Sequence, residues 1–170
     1  VEMALKIAFQ YQHQIGQKNR TKFACLSEGY HGETIGALSV GSMDLYNLMY
    51  KPMMMDNIHI EAPDMFRHAD DYPEKCLKRA KECFDKYGDK LCALIVEPLL
   101  QGAGGMRMYP KEYLKALYDL CKEHGVLFIA NEIATGFGRT GKWFACDHAG
   151  ITPDIMCLSK AITGGYMPMS

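Results

Sequence analysis

The sequence predicts an α/β protein in which a mainly parallel β-sheet is flanked by helices. Three uninterrupted apolar segments, 91–98, 126–130 and 154–159, have the length and composition of buried strands. Amphipathic helical segments alternate with them along the chain. Strands that are apolar throughout are buried on both faces, which is typical of parallel sheets covered by helices. Because no linker or repeat interrupts the pattern, we expect one domain.

The first half of the chain begins with a predicted helix over residues 1–16. A buried strand is predicted at 22–26, followed by a loop at 27–34. Residues 42–72 are irregular, apart from a short predicted strand at 57–60. The apolar side chains at helical spacing, which we expect on the inner face of the first helix, are Met3, Ala4, Ile7, Ala8 and Tyr11.

Two amphipathic helices are predicted in the second half. Pro73 begins the first and Gly88 ends it, whereas Pro110 begins the second and Gly125 ends it. Proline suits the first turn of a helix and glycine the position after its last turn. The predicted inner faces consist of Leu77, Ala80, Phe84 and Tyr87 in the first helix, and of Leu114, Leu117, Tyr118 and Cys121 in the second.

The composition is that of an ordinary globular protein. The 170 residues are 48% hydrophobic and 23% charged, with a formal net charge of -1. The chain has no excess of lysine and arginine that would indicate a nucleic-acid or membrane partner. No apolar run approaches the roughly 20 residues that span a bilayer. The seven cysteines form no Cys-x-x-Cys pair, so neither a zinc site nor any other metal site is predicted. We expect reduced thiols in a cytoplasmic protein.

Both ends of the chain lie within predicted elements. Val1 begins inside a helical pattern without an N-cap or an initiator methionine, and residues 164–170 stop within a loop. We therefore expect this chain to be the middle of a larger protein.

Polar side chains follow each of the three best strands: Glu97, then Asn131 with Glu132, then Lys160. Ligands of open α/β sheets bind outside the carboxyl ends of the strands. A lysine desolvated at such an edge has a lowered pKa and can bind an aldehyde as an imine, whereas an ordinary strand-end lysine reaches solvent. Pyridoxal phosphate requires such a lysine and an acid beside its ring nitrogen. Here the acid is replaced by Asn131, and strand alternation points Glu132 away.

Three segments carry a resemblance to a known family. They are "SEGYHGET" (27–34), "EPLLQGAGGMRMYP" (97–110) and "NEIATGFGRTGKWFACDHAGITPDIMCLSKAITGG" (131–165). In content and order they resemble the class III pyridoxal-phosphate aminotransferases. The resemblance implies that residues 1–170 are the central part of the cofactor-binding large domain of the aspartate-aminotransferase-like fold. The cofactor's phosphate loop would precede Val1, and a small domain would follow Ser170.

The resemblance also assigns roles around the cofactor. Lys160 matches the lysine that binds the cofactor covalently and moves the proton. Tyr30 matches the aromatic residue on one face of the ring, and Ile133 matches the aliphatic residue on the other. Glu97 matches an acid near the cofactor, although a strand-end carboxylate that bonds backbone is an equal alternative. His31 is interpreted as a positioned loop residue beside the cofactor.

Two further residues are candidates for contact with substrate. Arg139 resembles an arginine near the substrate channel, although an arginine in a glycine-rich loop can also hold backbone carbonyls. Glu33 stands where members of the class that act in biotin synthesis have a substrate-binding aspartate, and Tyr30 would contact substrate as well.

The motifs most resemble the biotin-synthesis members, whose amino donor is S-adenosylmethionine and whose acceptor is an oxo acid. An ω-amino-acid:oxo-acid aminotransferase is the alternative within the class, but many of those carry an acid at the position of Ala103. The resemblance implies a homodimer with small-molecule substrates. A non-catalytic fragment is the alternative outside enzymes.

Asn131 is the main departure from the family pattern. A neutral amide cannot supply the charge that keeps the ring nitrogen protonated. The loss of one such preorganised charge costs roughly 10²–10⁴ in rate, so we expect a chain that builds the site but transaminates slowly.

Overall fold

The structure is a computed structural model that describes residues 1–67 and 72–170. Its strands are β1 (Lys22–Leu26), β2 (Ile58–Ile60), β3 (Leu91–Val96), β4 (Leu100–Gln101), β5 (Arg107–Met108), β6 (Leu127–Asn131) and β7 (Ile155–Cys157). Its α-helices are α1 (Glu2–Gln14), α2 (Ile35–Ser39), α3 (Asp44–Asn47), α4 (Tyr72–Tyr87), α5 (Lys111–His124) and α6 (Cys146–Ala149). Short 3₁₀ turns cover Lys51–Met53, Gly88–Lys90 and Lys160–Thr163.

Five strands form one parallel sheet in the order β2-β1-β3-β6-β7. The central strand β3 is fully buried, with 0% exposure at every residue. Its six apolar side chains are therefore covered on both faces, as an uninterrupted apolar strand requires. The parallel α/β prediction is confirmed, and so is the short strand expected near residues 57–60.

Helices cover both faces of the sheet. Leu94 and Val96 of β3 pack in the cluster that includes the apolar faces of α4 and α5. Ala93 and Ile95 of the same strand pack in the opposite cluster, which includes α1. Successive side chains of a strand point to opposite faces, so one strand connects the two halves of the core.

The inner face predicted for α1 is partly wrong. Three of its expected members are exposed, namely Met3, Ile7 and Tyr11. The buried residues are instead Ala4, Leu5, Ala8 and Gln12. Small residues let the helix approach the sheet closely, and Nε2 of Gln12 donates to the backbone carbonyls of Cys92 and Gly125. A prediction from the size and polarity of the side chains alone therefore placed the buried face of α1 on a side of the helix rotated from the observed one.

The predicted inner faces of α4 and α5 are confirmed. Ala80, Phe84, Leu114, Leu117 and Cys121 are fully buried, and the other predicted members pack partly buried against the same cluster. The predicted helix ends agree with the structure to within one residue, since α4 spans Tyr72–Tyr87 and α5 spans Lys111–His124. Gly125, which follows α5, adopts the left-handed conformation with φ 65°.

Arg20 holds the ends of several elements together. Its guanidinium donates to the carbonyls of Gly88 at 2.6 Å, Leu91 at 2.9 Å and His124 at 2.7 Å. These carbonyls lie after α4, at the start of β3 and at the end of α5. One cation thus satisfies two carbonyls at helix ends, where intrahelical partners are missing, and one carbonyl at the start of β3.

The seven cysteines are all free, and six of them are buried. Burial raises the pKa of every one, to about 12 for Cys25 and about 11 for Cys92. They therefore behave as small apolar side chains. Among the residues that the structure describes, no helix is long and apolar enough to cross a membrane.

Candidate active site

The site lies where the strand order of the sheet reverses. After β1 the chain adds β2 on one side, and it later adds β3 on the other side of β1. The loops that follow β1 and β3 therefore diverge, leaving a crevice of the kind that binds ligands in open α/β sheets. Across it, the backbone N–H of Tyr30 donates to Oε1 of Glu97 at 2.9 Å.

A cavity of about 480 Å³ opens at this edge. It is lined by seven of the eight residues that the sequence singled out, namely Tyr30, His31, Glu97, Asn131, Ile133, Arg139 and Lys160. Glu33 is the exception. It is exposed, but its carboxylate accepts a hydrogen bond from the Tyr30 hydroxyl at 3.2 Å, so it stands one contact away from the cavity.

Asn131 is the last residue of β6 and is 6% exposed. Its Nδ2 lies 3.0 Å from Nδ1 of His31 and 3.4 Å from the carbonyl of Tyr30. Its Oδ1 accepts from the backbone N–H of Ile133 at 3.2 Å. The amide is thus bound to the loop after β1 and to its own loop. His31 is buried as well, and burial lowers its pKa to about 3, so its ring is neutral.

Glu97 bonds backbone on both sides of the crevice. Besides the Tyr30 N–H, it accepts the N–H of Gly102 at 3.2 Å. Burial raises its pKa, while these two hydrogen bonds and the charge of Lys160 act in the opposite direction. The alternative role considered from the sequence, a strand-end carboxylate that bonds backbone, is therefore seen directly, and the side chain also lines the cavity.

Tyr30 and Ile133 supply apolar surface to the cavity. The Tyr30 ring is half-buried and packs at 5.0 Å between centroids against Tyr46, with a 52° tilt. Burial and the neighbouring Glu33 raise the pKa of the Tyr30 hydroxyl, which therefore stays protonated. Ile133 is partly buried and packs against the core cluster that contains α1.

Lys160 and Arg139 line the cavity but remain exposed. Of the two alternatives considered for Lys160, this structure therefore shows the strand-end lysine that reaches solvent. Its backbone lies in the left-handed region, with φ 46°, at the start of a 3₁₀ turn whose following residues are themselves mostly exposed. The left-handed conformation is uncommon for a residue with a side chain and is often found at functional positions.

Glu132 points away from the cavity, as strand alternation predicts, and is 0% exposed. Its carboxylate accepts the Thr135 hydroxyl at 2.5 Å and the backbone N–H groups of Ala145 at 3.0 Å and Cys146 at 2.8 Å. It thereby closes the loop 133–145, which carries Ile133 and Arg139 to the cavity.

The sequence did not identify one wall of the cavity. This wall comes from the antiparallel pair β4 and β5 and their turn, and its cavity-lining members are Leu100, Gly102, Ala103 and Met106. The turn needs Gly104, since a Cβ there would lie 2.3 Å from the carbonyl of Glu28. The run Gly-Ala-Gly-Gly was the available signal for such a close turn.

Comparisons with known proteins agree with this geometry. The sequence model of the family described as aminotransferase class-III matches residues 1–170. The chain is 45% identical to the adenosylmethionine-8-amino-7-oxononanoate aminotransferase of Anoxybacillus flavithermus, covering 100% of this chain and 38% of that relative. It is 46% identical to the enzyme of the same name from Nitratidesulfovibrio vulgaris, covering 100% of this chain and 33% of the relative.

Solved structures show the same fold. The crystal structure of the adenosylmethionine-8-amino-7-oxononanoate aminotransferase of Methanocaldococcus jannaschii superposes with a TM-score of 0.89 at 41% identity, over 99% of this chain and 37% of that chain. A PLP-bound amine transaminase from an uncultivated Pseudomonas species superposes with a TM-score of 0.91 at 37% identity, over 98% of this chain and 39% of that chain. The chain thus spans roughly two fifths of the length of these relatives or less, and it belongs to the class-III aminotransferase family.

Proposed function

We propose that this chain is the central part of the cofactor-binding large domain of a pyridoxal-phosphate-dependent aminotransferase. The observation that carries the proposal is the convergence of Lys160, Asn131, Tyr30 and Ile133 on one cavity at the reversal of the strand order. Family membership and the PLP-bound structural relative support it.

The residues present fit this cofactor in type and place. A lysine is available for its aldehyde, and an aromatic and a branched aliphatic side chain line the same cavity as the buried Asn131. When bound, pyridoxal phosphate supplies an aldehyde that bonds amines and a ring that accepts electrons. The donor set thus matches the group, except that Asn131 brings no charge.

Each residue has a defined task in this proposal. Lys160 Nζ would hold the cofactor by its aldehyde and, once displaced by a substrate amine, would take up and return the proton that moves during amine transfer. Tyr30 and Ile133 exclude water and keep a flat ring in place. Glu97 fixes the backbone at Tyr30 and Gly102, and Arg139 supplies positive charge at the mouth of the cavity for an anionic substrate group.

The substrates follow from the relatives. Curated relatives at 45% and 46% identity are named for adenosylmethionine and 8-amino-7-oxononanoate, so we propose S-adenosylmethionine as donor and 8-amino-7-oxononanoate as acceptor, giving 7,8-diaminononanoate in biotin synthesis. Transfer between ω-amino acids and oxo acids is the second candidate, favoured by the 34% identity to an omega-transaminase of Thermomicrobium roseum. Ala103, which places no acid in the cavity wall, favours the first candidate.

The setting of the reaction is also part of the proposal. We place the protein in the cytoplasm, because its seven thiols are free. We propose a homodimer, since active sites of this family draw residues from both subunits. In this proposal the Asn131 amide lowers the rate of amine transfer without preventing assembly of the site. If Lys160 does not bind the cofactor, a non-catalytic role is the remaining alternative.

The test is chemical mapping of the lysine. The full-length protein that contains this chain is incubated with pyridoxal phosphate, reduced with borohydride, digested and analysed by mass spectrometry. We expect the reduced adduct on Lys160, its loss in Lys160→Ala, and its retention in Lys142→Ala, which removes an exposed lysine from the neighbouring loop. Absence of an adduct on Lys160 would refute the enzymatic proposal.

A second arm measures the effect of Asn131. Asn131→Asp restores a charge beside the ring nitrogen and is expected to speed amine transfer from S-adenosylmethionine by roughly 10²–10⁴. Equal rates in the two proteins would contradict the role that we give to residue 131. A faster transfer from ω-amino acids than from S-adenosylmethionine in both proteins would favour the second candidate substrate class.

A further inference from the structure

The Asn131 amide is held by two groups whose hydrogen-bonding roles cannot change. The backbone N–H of Ile133 can only donate, and it lies 3.2 Å from Oδ1. The carbonyl of Tyr30 can only accept, and it lies 3.4 Å from Nδ2. A flipped amide would place two donors together at Ile133 and two acceptors together at Tyr30. These contacts therefore fix which end of the amide carries the oxygen.

This orientation determines the state of His31. Nδ2 of Asn131 carries only hydrogens, and it lies 3.0 Å from Nδ1 of His31. Nδ1 must therefore accept, which leaves the proton of the neutral ring on Nε2. Burial lowers the pKa of His31 to about 3, which keeps Nδ1 free of a proton and able to accept.

The hydrogen-bonding capacity of Asn131 is then nearly used up. Both hydrogens of Nδ2 are engaged, by His31 and Tyr30, and one lone pair of Oδ1 is engaged by Ile133. Within the part of the chain that the structure describes, the second lone pair of Oδ1 is the capacity that remains. Asn131 lines the cavity, so it can accept a hydrogen bond from a ligand there but cannot donate one.

We propose that the backbone at Ile133 and Tyr30 orients the Asn131 amide and that His31, as a positioning residue, accepts from Nδ2, so that only the amide oxygen is available and the site binds a ring nitrogen that carries a proton. The identity of the ring rests on the function proposed above, but the orientation of the amide does not. A freely rotating amide would offer its NH₂ to an unprotonated ring nitrogen. The contacts with the backbone of Ile133 and Tyr30 prevent this, and His31 engages the remaining hydrogen of Nδ2. The orientation of the amide thus replaces part of what a carboxylate would do by charge.

The proposal makes the tautomer of His31 depend on residue 131. A carboxylate has no hydrogen to donate, so in Asn131→Asp the contact with His31 requires a proton on Nδ1. Nε2 of His31 has no hydrogen-bond partner within the described residues and therefore does not oppose this change. His148 serves as the internal reference, because its Nε2 lies 3.0 Å from the carbonyl of Thr140 and must carry a proton whatever residue stands at 131.

The test is ¹⁵N NMR of ring-labelled histidine in the protein without added cofactor, for the Asn131 form and for Asn131→Asp. We expect the His31 proton on Nε2 in the Asn131 form and on Nδ1, with or without Nε2, in the variant, while His148 stays unchanged. A proton on Nδ1 of His31 in the Asn131 form would overturn the proposal, because the amide oxygen would then face the histidine. An identical His31 tautomer in both proteins would overturn it too.

A second measurement uses ¹⁵N-labelled pyridoxal phosphate bound to the Asn131 form. We expect a protonated ring nitrogen, but with a lower pKa than in Asn131→Asp, because the amide oxygen accepts its hydrogen bond without carrying a full negative charge. An unprotonated ring nitrogen would overturn the proposed selection by the oxygen of Asn131. Failure to bind pyridoxal phosphate, together with the expected His31 tautomer, would count against the proposed function alone and leave the orientation of the amide standing.

Discussion

Replacing Glu132 by alanine should release the loop that carries Ile133 and Arg139. The carboxylate is fully buried and accepts three hydrogen bonds, one from the Thr135 hydroxyl and two from the backbone N–H groups of Ala145 and Cys146. All three donors belong to the loop and its closing turn. In Glu132→Ala they lose their acceptor while remaining inside the protein.

The size of the effect follows from these contacts. A buried donor without a partner costs about 1–3 kcal/mol, so three donors together cost about 3–6 kcal/mol, allowing for local relaxation. That is a large part of the roughly 5–15 kcal/mol by which a domain is stable. Glu132→Gln keeps one acceptor oxygen and the volume of the side chain, and should cost about 1–2 kcal/mol because the charge-assisted bonds weaken.

Urea unfolding provides the assay. Trp143 is the single tryptophan of the chain and lies within the loop 133–145, so its fluorescence follows the loop, while circular dichroism follows the sheet and helices. Glu82→Ala, which removes an exposed carboxylate from α4, is the matched control and should change little. If the free energy of unfolding of Glu132→Ala is within about 1 kcal/mol of that of the unmodified protein, as expected for the control, the proposed role of the carboxylate is refuted.

Three further predictions concern stability. Arg20→Ala removes three bonds to carbonyls at element ends and should destabilise by about 2–4 kcal/mol in urea unfolding, whereas the exposed Lys18→Ala should not. Gly104→Ala places a Cβ 2.3 Å from a backbone carbonyl and should cost about 1–3 kcal/mol in thermal unfolding, whereas Gly102→Ala meets no atom within 4 Å. Burial lowers the pKa of His31 from 6.5 to about 3, so as the pH falls the unfolded state binds the proton before the folded state does. His31 therefore contributes stability above pH 6.5 that is lost as the pH falls towards 3. In His31→Gln, the free energy of unfolding should depend less on pH in that range.

Each of these predictions can fail in a definite way. An equal loss of stability in Arg20→Ala and Lys18→Ala would contradict the role that we give to the Arg20 hydrogen bonds. Equal melting temperatures for Gly104→Ala and Gly102→Ala would mean that the β4–β5 turn can move away from its neighbour. An unchanged pH profile in His31→Gln would mean that other groups cause the acid sensitivity.

The position of the site could be predicted because it depends on strand ends. Parallel strands buried on both faces are visible as apolar runs, and the residue after each run must lie at one edge of the sheet. Glu97, Asn131 and Lys160 were located in this way, and the structure brings them to one cavity. The opposite direction of Glu132 followed from the alternation of side chains along a strand.

Other features were out of reach because they depend on contacts distant in sequence. The inner face of α1 was misjudged, since helical spacing also allowed larger apolar residues and did not reveal that Gln12 would find two carbonyls. The β4–β5 pair is only two residues long on each side, too short for a periodic signal.

Labelling of the buried thiols can report which segments of the folded chain open first. Since burial raises the pKa of all seven cysteines, the folded protein offers almost no thiolate at neutral pH, and a thiol reagent reacts when a segment opens. The positions are spread over the layers: Cys25 and Cys92 in the sheet, Cys76 and Cys121 in the helices that cover one face, and Cys157 at the strand just before Lys160. The order in which they become labelled therefore records the order in which the sheet, its covering helices and the edge near the site separate.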